Sequence, residues 1–584
     1  MKRILIALAI ALVPAGWSAK ALAGRDGSDA RQALASRTAE VDAVFARYNT
    51  STPGCAVGVA TNGTPVLAKG YGSADLEHDV PIAANTIFEA GSVSKQFTAA
   101  AVLLLARDGK LSIDDPVRKY IPELPDYPPP LDGAPAGSGE ASPKPQAAKA
   151  GGRPLLIRHM LNHTSGLRDW GSVASIAGWP RTTRAHTHAH VLDIVSRQRS
   201  LNFPPGARWS YSNTGFNLAA IIVSRVSGMP FADFTRERLF KPVGMTDTSW
   251  RDDFTRVVKR RAIAYREQGG TFHTDMPFKD VHGNGGLLTT VGDLLKWNEN
   301  FVKPVVGDAA FVQLQQEPGR FSDGRAHGYA FGLFVGTHGG LREVYHSGST
   351  AGYSAFLTRF PDEKVSVAVL CNVATNATTL ARAVADIYLA GRIKPAAAAP
   401  TFALTAADME RVAGLYRDVG RGMVAVIVRD GNGVRIEGGP RLTAVAPLRF
   451  AEANGDRWEF DGNAHAKAVD VYGTVDELER VPRVSPSPSE LRAYEGTYTS
   501  ADAEVDLTAK VEGDKLVFKR RPDVTIALTP LYQDAFRGGS LGTIVFRRDA
   551  GGRPVEFSVV QERVWNMPFR RIAAAAPTSD GRIQ

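Results

Sequence analysis

Cysteine is nearly absent from this chain: Cys55 and Cys371 are the only two in 584 residues. That excludes a disulfide framework or a Cys-rich zinc module as the source of stability. Each cysteine falls near the end of an expected strand, where a pair and two buried thiols are equally open, and the fold does not read as cysteine-dependent. Long apolar runs are missing too. After Ile4 to Val13, itself too short to cross a bilayer, no stretch reaches the roughly 20 apolar residues a membrane helix needs. Nor is charge of one sign concentrated. The net charge of +9 comes from scattered Lys and Arg, with no basic block interleaved with aromatics, which argues against nucleic-acid binding.

What is present begins with a leader. Lys2-Arg3, the apolar run and Ala21-Leu22-Ala23 read as a secretory signal over residues 1–23, cleaved near Ala23, so a periplasmic or secreted location is expected. Lys2, Arg3 and Lys20 leave with it, and the remaining +6 is a mild excess. The length suggests about three to four domains.

A helix is expected from about Arg31 to Tyr48, then two strands, Cys55 to Thr61 and Pro65 to Gly70, around the hairpin dipeptide Asn62-Gly63. Residues 132–153, rich in Gly, Ala, Ser, Pro and Lys, have nothing to bury and read as a flexible insertion. Helices at Val191 to Arg199, Gly215 to Ser227, Phe231 to Phe240 and Val291 to Phe301 precede strands at Tyr329 to Val335, Leu341 to Tyr345, Tyr353 to Phe360 and Val365 to Asn372, and a helix from Thr378 to Tyr388. Strands at both ends with helices between imply one antiparallel sheet flanked by helices, over residues 31–391, which would bring Cys55 and Cys371 onto neighbouring strands. A Pro-Ala linker, 392–402, leads to short alternating strands and Gly-rich turns, the pattern of all-β barrels or sandwiches. An echo of Val412-Ala-Gly-Leu-Tyr416 in Arg492-Ala-Tyr-Glu-Gly-Thr-Tyr498 divides this region into barrel-like modules, 403–483 and 488–573, before a disordered tail, 574–584; one larger barrel is the alternative.

Three short motifs carry chemistry. Ser92-Val93-Ser94-Lys95 opens the apolar stretch Gln96 to Ala106, so a hydroxyl and an amine three residues apart share one helix face in an apolar wall. Burial lowers an amine's pKa and lets it activate a serine. Tyr211-Ser212-Asn213 is the only Y-x-N in the chain and follows the turn Phe203-Pro204-Pro205-Gly206. A tyrosine near that pair can relay a proton, and the asparagine can orient the lysine and a substrate carbonyl. His346-Ser347-Gly348-Ser349 ends an expected strand at a sheet edge. There the glycine permits close approach of a substrate, and the Ser349 amide can join that of Ser92 as an oxyanion hole.

Together these motifs resemble the serine β-lactamase and penicillin-binding-protein superfamily, closest to its class C, D-alanyl-D-alanine carboxypeptidase, D-aminopeptidase and esterase-like branch. The resemblance covers about Ser36 to Gly391 and includes His163-Thr164-Ser165-Gly166-Leu167, Leu239 to Thr246 and Gly285 to Thr290. It implies an α/β (α+β) catalytic domain, an antiparallel sheet flanked by helices, followed by an all-β barrel-like C-terminal region. It also implies Ser92 as acylated nucleophile, Lys95 as activating partner and Tyr211 as general base and then acid. Asn213, His346, Gly348 and Ser349 become substrate-binding residues. His346 stands where the family often has lysine, a weaker anchor for an anion, which favours peptides, amides or esters over β-lactams. No cofactor is implied; the partner is a small-molecule or peptide substrate, and the oligomeric state is left open. The expected activity is that of an exported serine hydrolase of the D-aminopeptidase or carboxypeptidase kind. The alternatives are an esterase, a weak class C-type β-lactamase or a slow-turnover sensor. In some relatives a loop of the tail reaches the catalytic cleft, but no such loop is identifiable in this sequence.

Two other patterns are set aside. His186-Thr187-His188-Ala189-His190 leads into a helix with no carboxylate or Cys cluster beside it and reads as a solvated loop rather than a metal site. Gly538-Gly539-Ser540-Leu541-Gly542 lies between strands without the following helix of a nucleophile elbow, and reads as a turn.

Overall fold

The computed structural model describes residues 35–127, 154–180, 184–394, 402–521 and 523–572. The leader, the 132–153 insertion, most of the 392–402 linker and the 574–584 tail lie outside the described residues. The elements that position the site are helix α1 (35–45), strands β1 (Cys55–Thr61) and β2 (Thr64–Tyr71), helices α2 (Lys95–Arg107) and α3 (Asn213–Ser227), strands β3 (Phe334–His338), β4 (Leu341–Thr350), β5 (Tyr353–Phe360) and β6 (Val365–Cys371), and helix α4 (Ala377–Tyr388). The six strands form one sheet in the order β3-β4-β5-β6-β1-β2, every neighbour antiparallel. The two ends of the catalytic segment therefore meet at its centre, where β1 pairs with β6.

Strand alternation explains why the sheet is covered on both faces. Val57 and Val59 of β1 and Val367 and Val369 of β6 pack with Val41 and Phe45 of α1 and Ala381 and Val384 of α4. Ala56 and Ala60, facing the other way, join the core built around α2. Helix α2 is Ala- and Leu-rich and buried without a break from Lys95 to Leu105. Asn62 and Gly63, at φ 52° and 76°, form the turn between β1 and β2, as Asn-Gly does in tight hairpins.

Cys55 and Cys371 are register partners on β1 and β6 and are joined by a disulfide. Of the two readings left open by the sequence, the pair is the one found. Pairing places the two Cβ atoms side by side across the ladder, a proximity that strand prediction alone does not give.

Two closed eight-stranded barrels follow. The first runs from Gly414–Asp418 to Val475–Val481 and closes by pairing Leu415 with Val481. The second runs from Gly496–Ser500 to Val564–Arg571 and closes by pairing Tyr498 with Arg571. The sequence echo has a structural counterpart: the buried hydroxyl of Tyr416 donates to the Val412 carbonyl (3.1 Å), and that of Tyr498 to the Tyr494 carbonyl (2.9 Å). Each tyrosine pins the entry of its barrel in the same way. The second barrel is tied to the catalytic domain by a buried ion pair, Arg168 Nη1 to Asp502 Oδ2 at 2.7 Å.

Candidate active site

The site is built on the turn that precedes α2. Ala90 N donates to the Leu287 carbonyl (2.8 Å), and Gly91–Ser94 form a single 3-10 turn that runs straight into the helix. Ser94 Oγ donates to the Gly91 carbonyl (2.6 Å) and accepts from Leu287 N (3.2 Å), fixing the turn from inside. Beneath it Glu89 and Arg251 form a bidentate pair at 2.7 and 2.9 Å, both side chains about 1% exposed. Such a pair is costly to bury but strongly directional once made, so it holds the turn in one place.

Helical spacing then brings Lys95 to Ser92. Lys95 Nζ donates to Ser92 Oγ (3.0 Å), Asn213 Oδ1 (2.9 Å) and the Asn284 carbonyl (2.7 Å), and the residue has no exposed surface. Three acceptors match the three hydrogens of an ammonium, so the amine is locked in direction. The Asn284 carbonyl was not legible as a partner, since any residue can supply one.

Asn213 opens α3. Its Nδ2 and its backbone N–H both donate to Asp169 Oδ2, at 2.8 and 2.9 Å. With the amide nitrogen committed to a carboxylate, the amide oxygen must face Lys95. Asp169 thus sets the lysine's partner through Asn213. Tyr211 lies with its ring centroid 4.8 Å from Lys95 Nζ. Against the same ring sits His163, at 4.2 Å. His163 Nδ1 accepts from Ser212 N (3.1 Å). Burial, with Lys95, His346 and Arg563 nearby, pushes the His163 pKa well below its usual value, so it is a neutral seat for Tyr211.

His346-Ser347-Gly348-Ser349 lies within β4 rather than after its end. From His346 onward β4 pairs with β5 alone, because β3 stops pairing at Tyr345. This free edge faces the Ser92 turn. Gly348 is required by the protein's own backbone: a Cβ there would sit 2.0 Å from the Ala90 carbonyl oxygen and 3.0 Å from Ser92 N. Reciprocally, a Cβ on Gly91, at φ 51°, would sit 2.6 Å from Ser349 N. The glycine read as a clearance for substrate is first a clearance for the nucleophile turn, and the contact brings the Ser92 and Ser349 amides together.

His346 is 1% exposed. Its Nδ1 contacts the Ser347 carbonyl, and its Nε2 meets Tyr329 Oη at 3.0 Å. An Nδ1–H tautomer satisfies both, with the tyrosine donating. Burial, then the Lys95 charge, brings its pKa down to about 3. His346 is therefore a neutral wall with both nitrogens engaged, not an ionic anchor. Tyr329, expected in a strand, belongs to the loop before β3 and supplies that hydroxyl.

Ser92, Tyr211, Asn213 and Ser349 line one cavity of about 940 Å³. Both barrels reach it. Tyr472 of the first barrel and Glu562 and Arg563 of the second stand in its wall, residues that no local pattern marked. The three alternating histidines are not a solvated loop: His186 is 2% exposed and packs on Trp170 (5.1 Å), and His188 begins a helix with its ring 4.3 Å from that of His282. They form no metal-binding group among the described residues. Gly539–Leu541 is a turn between strands, as expected.

Comparison with known proteins agrees with this geometry. The Beta-lactamase family model matches residues 41–391. Penicillin-binding protein 4* of Bacillus subtilis is 28% identical over 345 residues, which is 53% of this chain and 68% of that protein. A D-aminopeptidase of Brucella ovis is 24% identical over 529 residues, 86% of this chain and 93% of the relative. Among solved structures, the octameric penicillin-binding protein homologue from Pyrococcus abyssi superposes with a TM-score of 0.51 at 21% identity, over 78% of this chain and 99% of that one. The fold is thus that of a β-lactamase-like catalytic domain with C-terminal barrels, the homologues are serine hydrolases, and the chain belongs to the Beta-lactamase family.

Proposed function

We propose that the protein is an exported hydrolase that forms an acyl-enzyme at Ser92 and cleaves small peptides or amides, in the manner of a D-aminopeptidase or D,D-carboxypeptidase. The observation that carries this reading is the contact of a fully buried Lys95 with both Ser92 Oγ (3.0 Å) and Asn213 Oδ1 (2.9 Å), two residues that line one cavity with Tyr211. In the first half-reaction Ser92 Oγ attacks the acyl carbonyl and its proton passes to Tyr211, with Lys95 steering the hydroxyl. The Ser92 and Ser349 amides hold the oxyanion. Tyr211 then returns the proton to the leaving amine as the C–N bond breaks, leaving a serine ester. In the second half Tyr211 takes a proton from water, hydroxide adds to the ester, and the proton returns to Ser92 Oγ as the acid departs.

The D-aminopeptidase of Brucella ovis, matched along 93% of its own length and 86% of this chain, supports the peptide or amide class. A neutral His346 supports donors less anionic than β-lactams. Export is supported by the leader-like residues 1–23 and by the Cys55–Cys371 disulfide, a bond that persists in oxidising compartments.

The test is a turnover screen of the mature protein against D- and L-aminoacyl amides, short-chain p-nitrophenyl esters and a chromogenic cephalosporin. D-aminoacyl amides should lead. A ranking headed by esters or the cephalosporin would replace the substrate class, and stoichiometric labelling without turnover would point to a sensor.

A further inference from the structure

Arg563 belongs to the tip of the last hairpin of the second barrel, between Pro554–Gln561 and Val564–Arg571. Its guanidinium carbon lies 4.9 Å from the centroid of the Tyr211 ring. The tip is docked through its backbone. The Arg563 carbonyl accepts from Asp169 N (3.2 Å) and Asn202 Nδ2 (3.2 Å), and Trp565 N donates to Asn202 Oδ1 (2.9 Å). Buried Arg168, paired with Asp502, also donates to the Trp565 carbonyl (3.2 Å). The same Asp169 orients Asn213, so hairpin and catalytic asparagine share one anchor.

A tyrosine that takes a proton from serine must be stabilised as phenolate, and nearby cations do this. The groups facing Tyr211 include Lys95, His163, Trp209, Tyr329, His346, Tyr472 and Arg563. Of these, Lys95 and Arg563 carry positive charge, because His163 and His346 are buried and neutral; Lys279 is a further cation in the wall of the same cavity. Glu562, whose Oε1 is 3.6 Å from Arg563 Nε, is the one carboxylate among the described residues of the cavity wall and opposes them.

We propose that Arg563 is a positioning residue for the reaction: a cation supplied by the C-terminal barrel that stabilises deprotonated Tyr211, in place of a lysine on the β4 motif. This rests on the reading of Tyr211 as the base. It also gives the second barrel a chemical role in the cleft. The guanidinium acts by charge at a distance, so the side chain can be changed while the backbone docking remains.

The test is the rate at which a fluorophosphonate labels Ser92, measured from pH 5 to 9 in the full-length protein, a readout that needs no knowledge of the substrate. R563Q should move the acidic limb of the profile up by about one pH unit, lower the rate about ten-fold at pH values on that limb, and recover the wild-type rate on the alkaline side. R563K should keep most of the wild-type profile, and E562Q should move the limb down. An R563Q limb that stays in place overturns the proposal, whether the rate is unchanged or uniformly lower, since a merely structural role would scale every pH alike. Y211F in the same assay separates the two levels. Rapid labelling by Y211F removes the base itself, whereas slow labelling by Y211F beside an unmoved R563Q limb removes only Arg563.

Discussion

Asp169 holds Asn213 by two hydrogen bonds to one carboxylate oxygen, 2.9 Å from the backbone nitrogen and 2.8 Å from Nδ2, and so turns the amide oxygen toward Lys95. The two residues are 44 positions apart in sequence. Through Asn213 this carboxylate sets the direction of the amine that contacts the nucleophile.

D169A should therefore lower kcat/KM by about 10²-fold through loss of orientation, and cost about 1–3 kcal/mol through the buried donors it strands. Steady-state kinetics and a thermal melt measure the two separately. A lower Tm with kcat/KM within two-fold of wild type would show that Asp169 serves the fold alone.

Y211F removes one hydroxyl and leaves the ring packed on His163. Turnover should fall by about 10²–10⁴-fold with little change in Tm. Unchanged rates would take Tyr211 out of the proton path.

His346 and His282 are buried and neutral, each with its pKa lowered to about 3, chiefly by burial. In the unfolded chain they titrate near 6.5. Between these values the unfolded state binds more protons, so stability is complete above about pH 6.5 and declines as the pH falls toward 3. At pH 5 each histidine withholds about 2 kcal/mol. Melting temperatures from pH 7.5 to 4 should fall, and H346Q should flatten the decline. An H346Q curve parallel to that of wild type would contradict a neutral, buried imidazole.

The disulfide joins the two halves of the catalytic sheet across 316 residues of sequence. C55A/C371A should cost about 2–4 kcal/mol and spare activity, since neither cysteine lines the cavity. Two thiols titrating in the unreduced, denatured protein would refute the pairing.

What could be read from sequence and what could not divide along physical lines. Ser92 and Lys95 were legible because helical spacing alone makes them neighbours, and Tyr211-Ser212-Asn213 because a tight turn and a helix start fix all three at once. The sheet was legible from alternation, down to Cys55 and Cys371 on adjacent strands. Asp169 was not: its role depends on the fold bringing 169 to 213. His163 was read only as part of the signature His163-Thr164-Ser165-Gly166-Leu167, and only the Tyr211 ring against it reveals what it packs. Gly348 was assigned to the substrate because the Ala90 backbone that crowds it is 258 residues away. Tyr472 and Arg563 were invisible because barrel strands announce their own alternation but not where the barrel docks. Trp209, stacked on Tyr472 at 4.1 Å, gave no sign of a partner from another domain.

The central claim is that Ser92 is the atom acylated. Intact-mass analysis of the mature protein after brief exposure to a fluorescent penicillin or a fluorophosphonate, with peptide mapping of the adduct, tests it most directly. The account predicts one adduct per chain on the peptide containing Ser92, and none in a folded S92A protein. An adduct of equal yield in S92A, or one mapped to another residue, would contradict it.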